Sequence, residues 1–211
     1  MKLKHSKIGI VFIVLTLVAW LIALPFLPTD VPMQYTSDDQ VNWKAHKFLA
    51  PLFFLGLALL TYLIAATKGH SETRKNSHEN FTSLNNFFHA LGPIIAFVIS
   101  IVVIFNALGF NISVKLFALL LVGCLLIIIG NLLQKIPQNK IMGIRNKWTL
   151  KNERVWKKTQ RFSSRLYIII GVLFVISAFL PAAIVGISSI VLILILVAAP
   201  MLYSYKLSHS S

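Results

Sequence analysis

One cysteine and six acidic residues are what this chain of 211 residues has least of. The single thiol, Cys124, excludes an intramolecular disulfide and any cysteine-built metal cluster, and it is expected to act as a small apolar side chain. None of the acids, among them Asp30, Asp38, Asp39 and Glu153, falls inside a long apolar run. No carboxylate pair therefore stands at membrane depth for hydrolysis or proton transfer. H-E-x-x-H, G-x-S-x-G and glycine-rich phosphate loops are absent as well. The six histidines, at positions 5, 46, 70, 78, 89 and 209, lie mostly in loops or tails and have no ligand partner four residues on. No catalytic constellation, cofactor or metal is expected.

What fills the chain instead is apolar: 57% of residues are hydrophobic and 12% charged, well outside the composition of soluble domains. A spanning helix needs about 20 apolar residues to cross roughly 30 Å of hydrocarbon. Six runs meet or approach that length, at about 8–27, 48–67, 87–108, 113–133, 166–181 and 183–203. The fifth, cut short by Pro181, should form a hairpin with the sixth. The first run is too long for a signal-peptide core and lacks an A-x-A exit, so it is read as helix one. The fold class is all-α: a polytopic membrane protein of about six transmembrane helices.

Topology follows from the cations. Alternate segments hold Lys2, Lys4 and Lys7, then Lys68, Arg74 and Lys75, then ten cations from Lys135 to Arg165, then Lys206. The opposite side has only Lys44, Lys47 and Lys115. Both termini are thus expected in the cytoplasm of a cell-membrane protein. The net charge of +14 is explained by a face resting on anionic lipid headgroups, and direct nucleic-acid binding is not needed to account for it.

The densest polar stretch is GIRNKWTLKNERVWKKTQRF, residues 143–162, between the fourth and fifth runs. Asn152 (or Thr149) can cap a helix starting near Glu153, whose charge suits a helix N-terminus. At 100° per residue Val155, Thr159, Phe162 and Leu166 share a stripe with Trp156 at its edge, while Arg154, Lys158, Arg161 and Arg165 form a second. The pattern predicts a basic amphipathic helix in the interface, leading into the fifth span, with Trp148 and Trp156 at headgroup depth. Arg154, Lys158 and Arg165 are its lipid- or partner-docking candidates. Among polar residues in the spans, His89, Asn106, Asn131 and Ser177 are expected to serve helix packing, and Pro93 and Pro200 are the candidate kinks.

The order of residues here resembles the SdpI family of bacterial immunity proteins. Gly130-Asn131, Lys135-Ile136, Gly143-Ile144-Arg145, Trp148-Thr149-Leu150, Val155-Trp156, Thr159 and Arg161 stand at the family's spacing. Asn146-Lys147 replaces the usual threonine-proline, Gln160 a common histidine, and Ser163-Ser164 a glycine pair. The motif residues of this cytoplasmic loop (134–165) are accordingly Asn131, Gly143, Arg145, Trp148, Thr149, Trp156, Thr159 and Arg161.

The N-terminal half is similar to the domain many relatives carry, a helix, an outward proline-rich loop and a second helix. LPFLPTDVPMQY, then Trp43-Lys44 and Pro51, matches it. Prolines 28 and 32 stiffen that loop, and Asp30, Asp38 and Asp39 give it acid suited to a cationic peptide. Pro28, Asp30, Pro32, Tyr35, Asp38, Asp39 and Trp43 are the toxin-facing candidates. Two domains are expected: residues 1–75, the two-helix domain, and 76–211, a four-helix domain holding the loop.

The resemblance implies self-protection against a secreted antimicrobial peptide. In some members it also implies a receptor role, in which the occupied protein captures a transcriptional autorepressor at the membrane. The expected partners are therefore the peptide, anionic lipids and such a repressor. The residues alone leave open a small transporter or envelope-homeostasis protein.

Overall fold

The computed structural model describes residues 7–73 and 79–209, with backbone alone for 67–73, 79–83 and 85. Lys2, Lys4, His5, Arg74, Lys75, His78 and the 75/76 domain boundary lie outside the described residues, as do the side chains of Lys68 and His70. Packing divides the chain into two compact units, Met1–Val114 and Lys115–Ser211.

The first unit runs α1 (Lys7–Ala23), β1 (Asp30–Tyr35), β2 (Val41–His46), α2 (Leu49–Thr73) and α3 (Glu79–Ala107). α1 is predominantly apolar after Lys7 and stops just ahead of Pro25, which cannot donate the next helical hydrogen bond. α3 packs on both α1 and α2, so the packing boundary falls one helix later than the sequence boundary. Small residues allow the approach: a Cβ on Gly9 would meet the Tyr62 ring at 2.8 Å, and one on Gly92 would run into Thr61 Oγ1. At the loop end of this bundle Trp20 is fully buried. Its indole N–H donates to Ser100 Oγ at 3.2 Å and its ring stacks on Phe54, centroids 5.8 Å apart. Leu27, Val31, Val103 and Ile104 close the cluster and tie the hairpin to the end of α3. The loop expected to be stiffened by prolines 28 and 32 is thus a paired hairpin.

The second unit contains α4 (Val114–Leu133), α5 (Lys147–Lys151), α6 (Glu153–Ser177) and α7 (Ala182–His209). α4 and α6 run antiparallel at close range. A Cβ on Gly123 would lie 2.7 Å from the Gly171 carbonyl oxygen, and one on Gly171 would lie 2.7 Å from that of Gly123. Seven residues on, a Cβ on Gly130 would lie 2.9 Å from the Ser164 carbonyl oxygen. Ile170, Phe174, Ala178, Val185 and Leu119 form the core on one side of this crossing.

Among the described residues five helices are long and apolar enough to cross a membrane: α2, α3, α4, α6 and α7. α1 adds a shorter apolar helix of 17 residues. Pro93 and Pro200 lie inside α3 and α7 without interrupting either. The interfacial helix expected before the fifth span is the first half of α6, and the helix continues unbroken from Glu153 into the apolar segment.

Candidate functional site

Two polar surfaces come from these units. In the first, β1 and β2 pair antiparallel, Asp30 opposite His46, Val31 opposite Ala45 and Pro32 opposite Lys44, with irregularities beyond that point. Thr36 and Gln40 close the turn: Thr36 N–H donates to Gln40 C=O at 2.8 Å, and Gln40 N–H to Thr36 Oγ1 at 3.2 Å. Asp39 adopts φ 59°, a left-handed conformation that aspartate tolerates better than most residues. Its carboxylate accepts a hydrogen bond of 2.5 Å from the Ser113 hydroxyl. Burial, followed by the charge of Asp39, pushes the Tyr35 phenol above its ordinary value near 10.0.

Of the hairpin residues singled out from sequence, Pro28, Asp30, Asp38 and Trp43 are exposed, Tyr35 and Asp39 half-buried, and Pro32 buried. Val41 stands exposed beside Trp43. The structure brings Tyr35 and Asp39 together, whereas Pro32 faces inward. Ser113 could not be found from sequence as a partner, being 74 residues from Asp39.

The second surface is the segment from Lys135 to Arg165, and it is folded. Asn146 caps α5, accepting from the Trp148 and Thr149 amides at 3.1 and 2.9 Å, while Thr149 Oγ1 accepts from Asn146 N–H at 2.9 Å. Asn152 caps α6, as the sequence pattern predicts, accepting from the Arg154 and Val155 amides. Gly143, at φ 93°, turns the chain over Gln160, whose side-chain amide accepts from Ile144 N–H at 3.1 Å and donates to Ile144 C=O at 3.0 Å. Upstream, Asn139 Oδ1 accepts from the Ile141 and Met142 amides, both at 2.7 Å. Gln138 donates to the Thr149 and Leu150 carbonyls at 2.8 and 3.1 Å. Arg145 reaches the Lys140 carbonyl.

This segment is fastened to α6 and to the far end of α7. The Trp156 indole donates to the Ile136 carbonyl at 2.9 Å with the residue 1% exposed, so it is satisfied by protein where the sequence suggested headgroups. Val155 and Thr159 are buried too, so the stripe predicted to face acyl chains faces protein. Asn146 Nδ2 donates to Ser204 Oγ at 2.6 Å, Trp148 meets Tyr205 edge-on at 5.2 Å, and Phe162 stacks on Tyr203 at 4.3 Å. Asn131 is exposed and donates to the Ile127 carbonyl at 2.9 Å.

The cations point the other way. Lys135, Lys140, Arg145, Lys147, Lys151, Arg154, Lys157, Lys158, Arg161 and Arg165 are all exposed, and Glu153, the one acid between residues 115 and 211, pairs with Lys157 at 2.7 Å. The arrangement is a folded, strongly basic platform. Among the described residues no group of three or more potential metal ligands occurs.

Residues 135–204 match the SdpI/YfhL protein family. A protein of Bacillus subtilis (strain 168), Immunity protein SdpI, is 28% identical over 206 residues, covering 96% of this chain and 95% of the relative. The chain is thus similar to the SdpI/YfhL family in this segment and to one immunity protein along nearly its whole length. No solved structure matches it. The matched family segment opens at Lys135 and closes at Ser204, the residue that receives Asn146, and so spans the platform together with the helices that hold it. With its several spans and this kinship the protein is a multi-pass cell-membrane protein.

Proposed function

We propose that this chain is a membrane immunity protein that protects the cell carrying it from a secreted antimicrobial peptide. The observation that carries the reading is the near full-length likeness to Immunity protein SdpI. The hairpin faces outward, where exposed Trp43, Val41, Asp30 and Asp38 offer an amphipathic, acidic lip to a cationic peptide. The 134–165 platform and both termini lie in the cytoplasm, in keeping with the bias of lysine and arginine. There the platform acts as the output surface, and a transcriptional repressor captured on it couples toxin arrival to new synthesis of the protein. Arg145 and Trp148 support this role by holding the platform's fold, through the Lys140 carbonyl and the Tyr205 ring.

The test is survival of a sensitive bacterium challenged with the cognate peptide, with and without this chain. Expression should raise survival, and Trp148→Ala or Arg145→Ala should reduce the protection at equal membrane abundance. Equal survival with and without the chain, accompanied by a new solute flux, would replace immunity with transport. The repressor branch is checked separately by cell fractionation, in which a DNA-binding partner should move to the membrane only after exposure to peptide.

A further inference from the structure

The α4–α6 crossing sets the depth of the basic stripe. Gly123 lies against Gly171 and Gly130 against Ser164, so each step along α4 is matched by one step back along α6. Extending that register puts Leu133, the last residue of α4, level with Arg161. It puts Arg165 level with Ile129, one turn further in. α4 has 20 residues, a length of about 30 Å that just fills the hydrocarbon layer. Its end therefore marks the membrane boundary, and Arg165 stands about 6 Å inside it.

Both arginines are exposed on α6, and the stripe that carries them changes character within one turn. Arg154, Lys158, Arg161 and Arg165 are followed on the same side by Ile169 (58% exposed), Val172, Leu173 and Ile176 (54% exposed). Aliphatic side chains at that exposure face lipid. The opposite side of the same turns, Thr159, Gln160, Ser163 and Ser164, is buried in protein. Within residues 115–211 the one carboxylate, Glu153, is already paired with Lys157. An arginine just inside the boundary bends its head outward to the phosphate layer while its stem covers apolar surface. The guanidinium fork matches a phosphate diester.

We propose that Arg161 and Arg165, with Lys158 above them, hold the phosphate of an anionic phospholipid in the adjoining leaflet. The site is independent of the immunity reading, since it rests on depth, exposure and charge alone. A soluble acidic protein would not explain Arg165, which lies below the reach of anything outside the headgroups.

The full chain, reconstituted in phosphatidylcholine vesicles, is probed with trace spin-labelled phosphatidylglycerol or spin-labelled phosphatidylcholine, reading the motionally restricted fraction of each by electron paramagnetic resonance. The parent chain should prefer phosphatidylglycerol by about fivefold or more, the factor expected from roughly 1 kcal/mol per basic residue near the surface. R161Q/R165Q should bring the preference close to one, R161K/R165K should keep most of it, and Lys140→Gln should leave it unchanged. If the double glutamine variant fails to keep its helix content, Arg165→Gln alone should lower the preference about twofold or more. No preference in the parent chain overturns the proposal. So does an unchanged preference in the glutamine variants, which would leave the stripe to an acidic protein partner.

Discussion

Gln160 shows how much a single side chain can organise. Its amide meets both polar groups of the Ile144 peptide backbone while almost wholly buried, and the left-handed turn at Gly143 rests directly on it. Gln160→Leu would leave the half-buried Ile144 N–H without its partner and its C=O with the Thr149 hydroxyl alone, and the expected loss is about 1–3 kcal/mol. Denaturant unfolding of the solubilised protein measures it, with faster proteolysis near Lys140 as the local readout. The sequence showed glutamine where the family commonly has histidine but gave no sign of a partner 16 residues away. Asn146-Lys147 was more readable than it looked. Threonine-proline is a helix cap followed by a first-turn residue, and asparagine keeps the cap while lysine gives up only the fixed φ.

Among elements, the α4–α6 pair depends on backbone contact that only glycine permits. Gly171→Ala would place a methyl 2.7 Å from the Gly123 carbonyl oxygen and force the helices apart, at a cost of about 1–3 kcal/mol. Gly186→Ala in α7, where nothing lies within 4 Å, should be neutral or slightly stabilising because alanine favours helix. Thermal unfolding of the two variants in the same detergent separates these outcomes. Hydropathy located every long helix, yet it started the fifth span near residue 166 where α6 begins at Glu153. Arg161 and Arg165 lower the local apolar average without breaking the backbone, so a composition signal ends where the helix does not. The hairpin was harder still. Its strands, DVPMQY and VNWKAH, carry proline, asparagine, lysine and aspartate and show no clean alternation, so nothing local announces pairing. Burial of Val31 against Leu27, Val103 and Ile104 decides it, and that is tertiary.

For the molecule as a whole the decisive property is its orientation in the bilayer. In a Cys124→Ser background, a cysteine at Asp38 should react with an impermeant thiol reagent added to intact cells, and one at Lys147 should not. Both positions are exposed, so burial does not confound the comparison. Labelling at 147 alone would invert the topology and remove the functional assignment of both surfaces. The platform has a further consequence for how the protein is made. Its clasp, Ser204 with Tyr203 and Tyr205, emerges from the ribosome tens of residues after the stretch it secures, 58 residues after Asn146 in the case of Ser204. The basic stretch must therefore wait half-assembled until the final helix is made, and a chain lacking Tyr203 to Tyr205 would present an unlatched surface. The latch on the platform thus closes only once the last helix has been made.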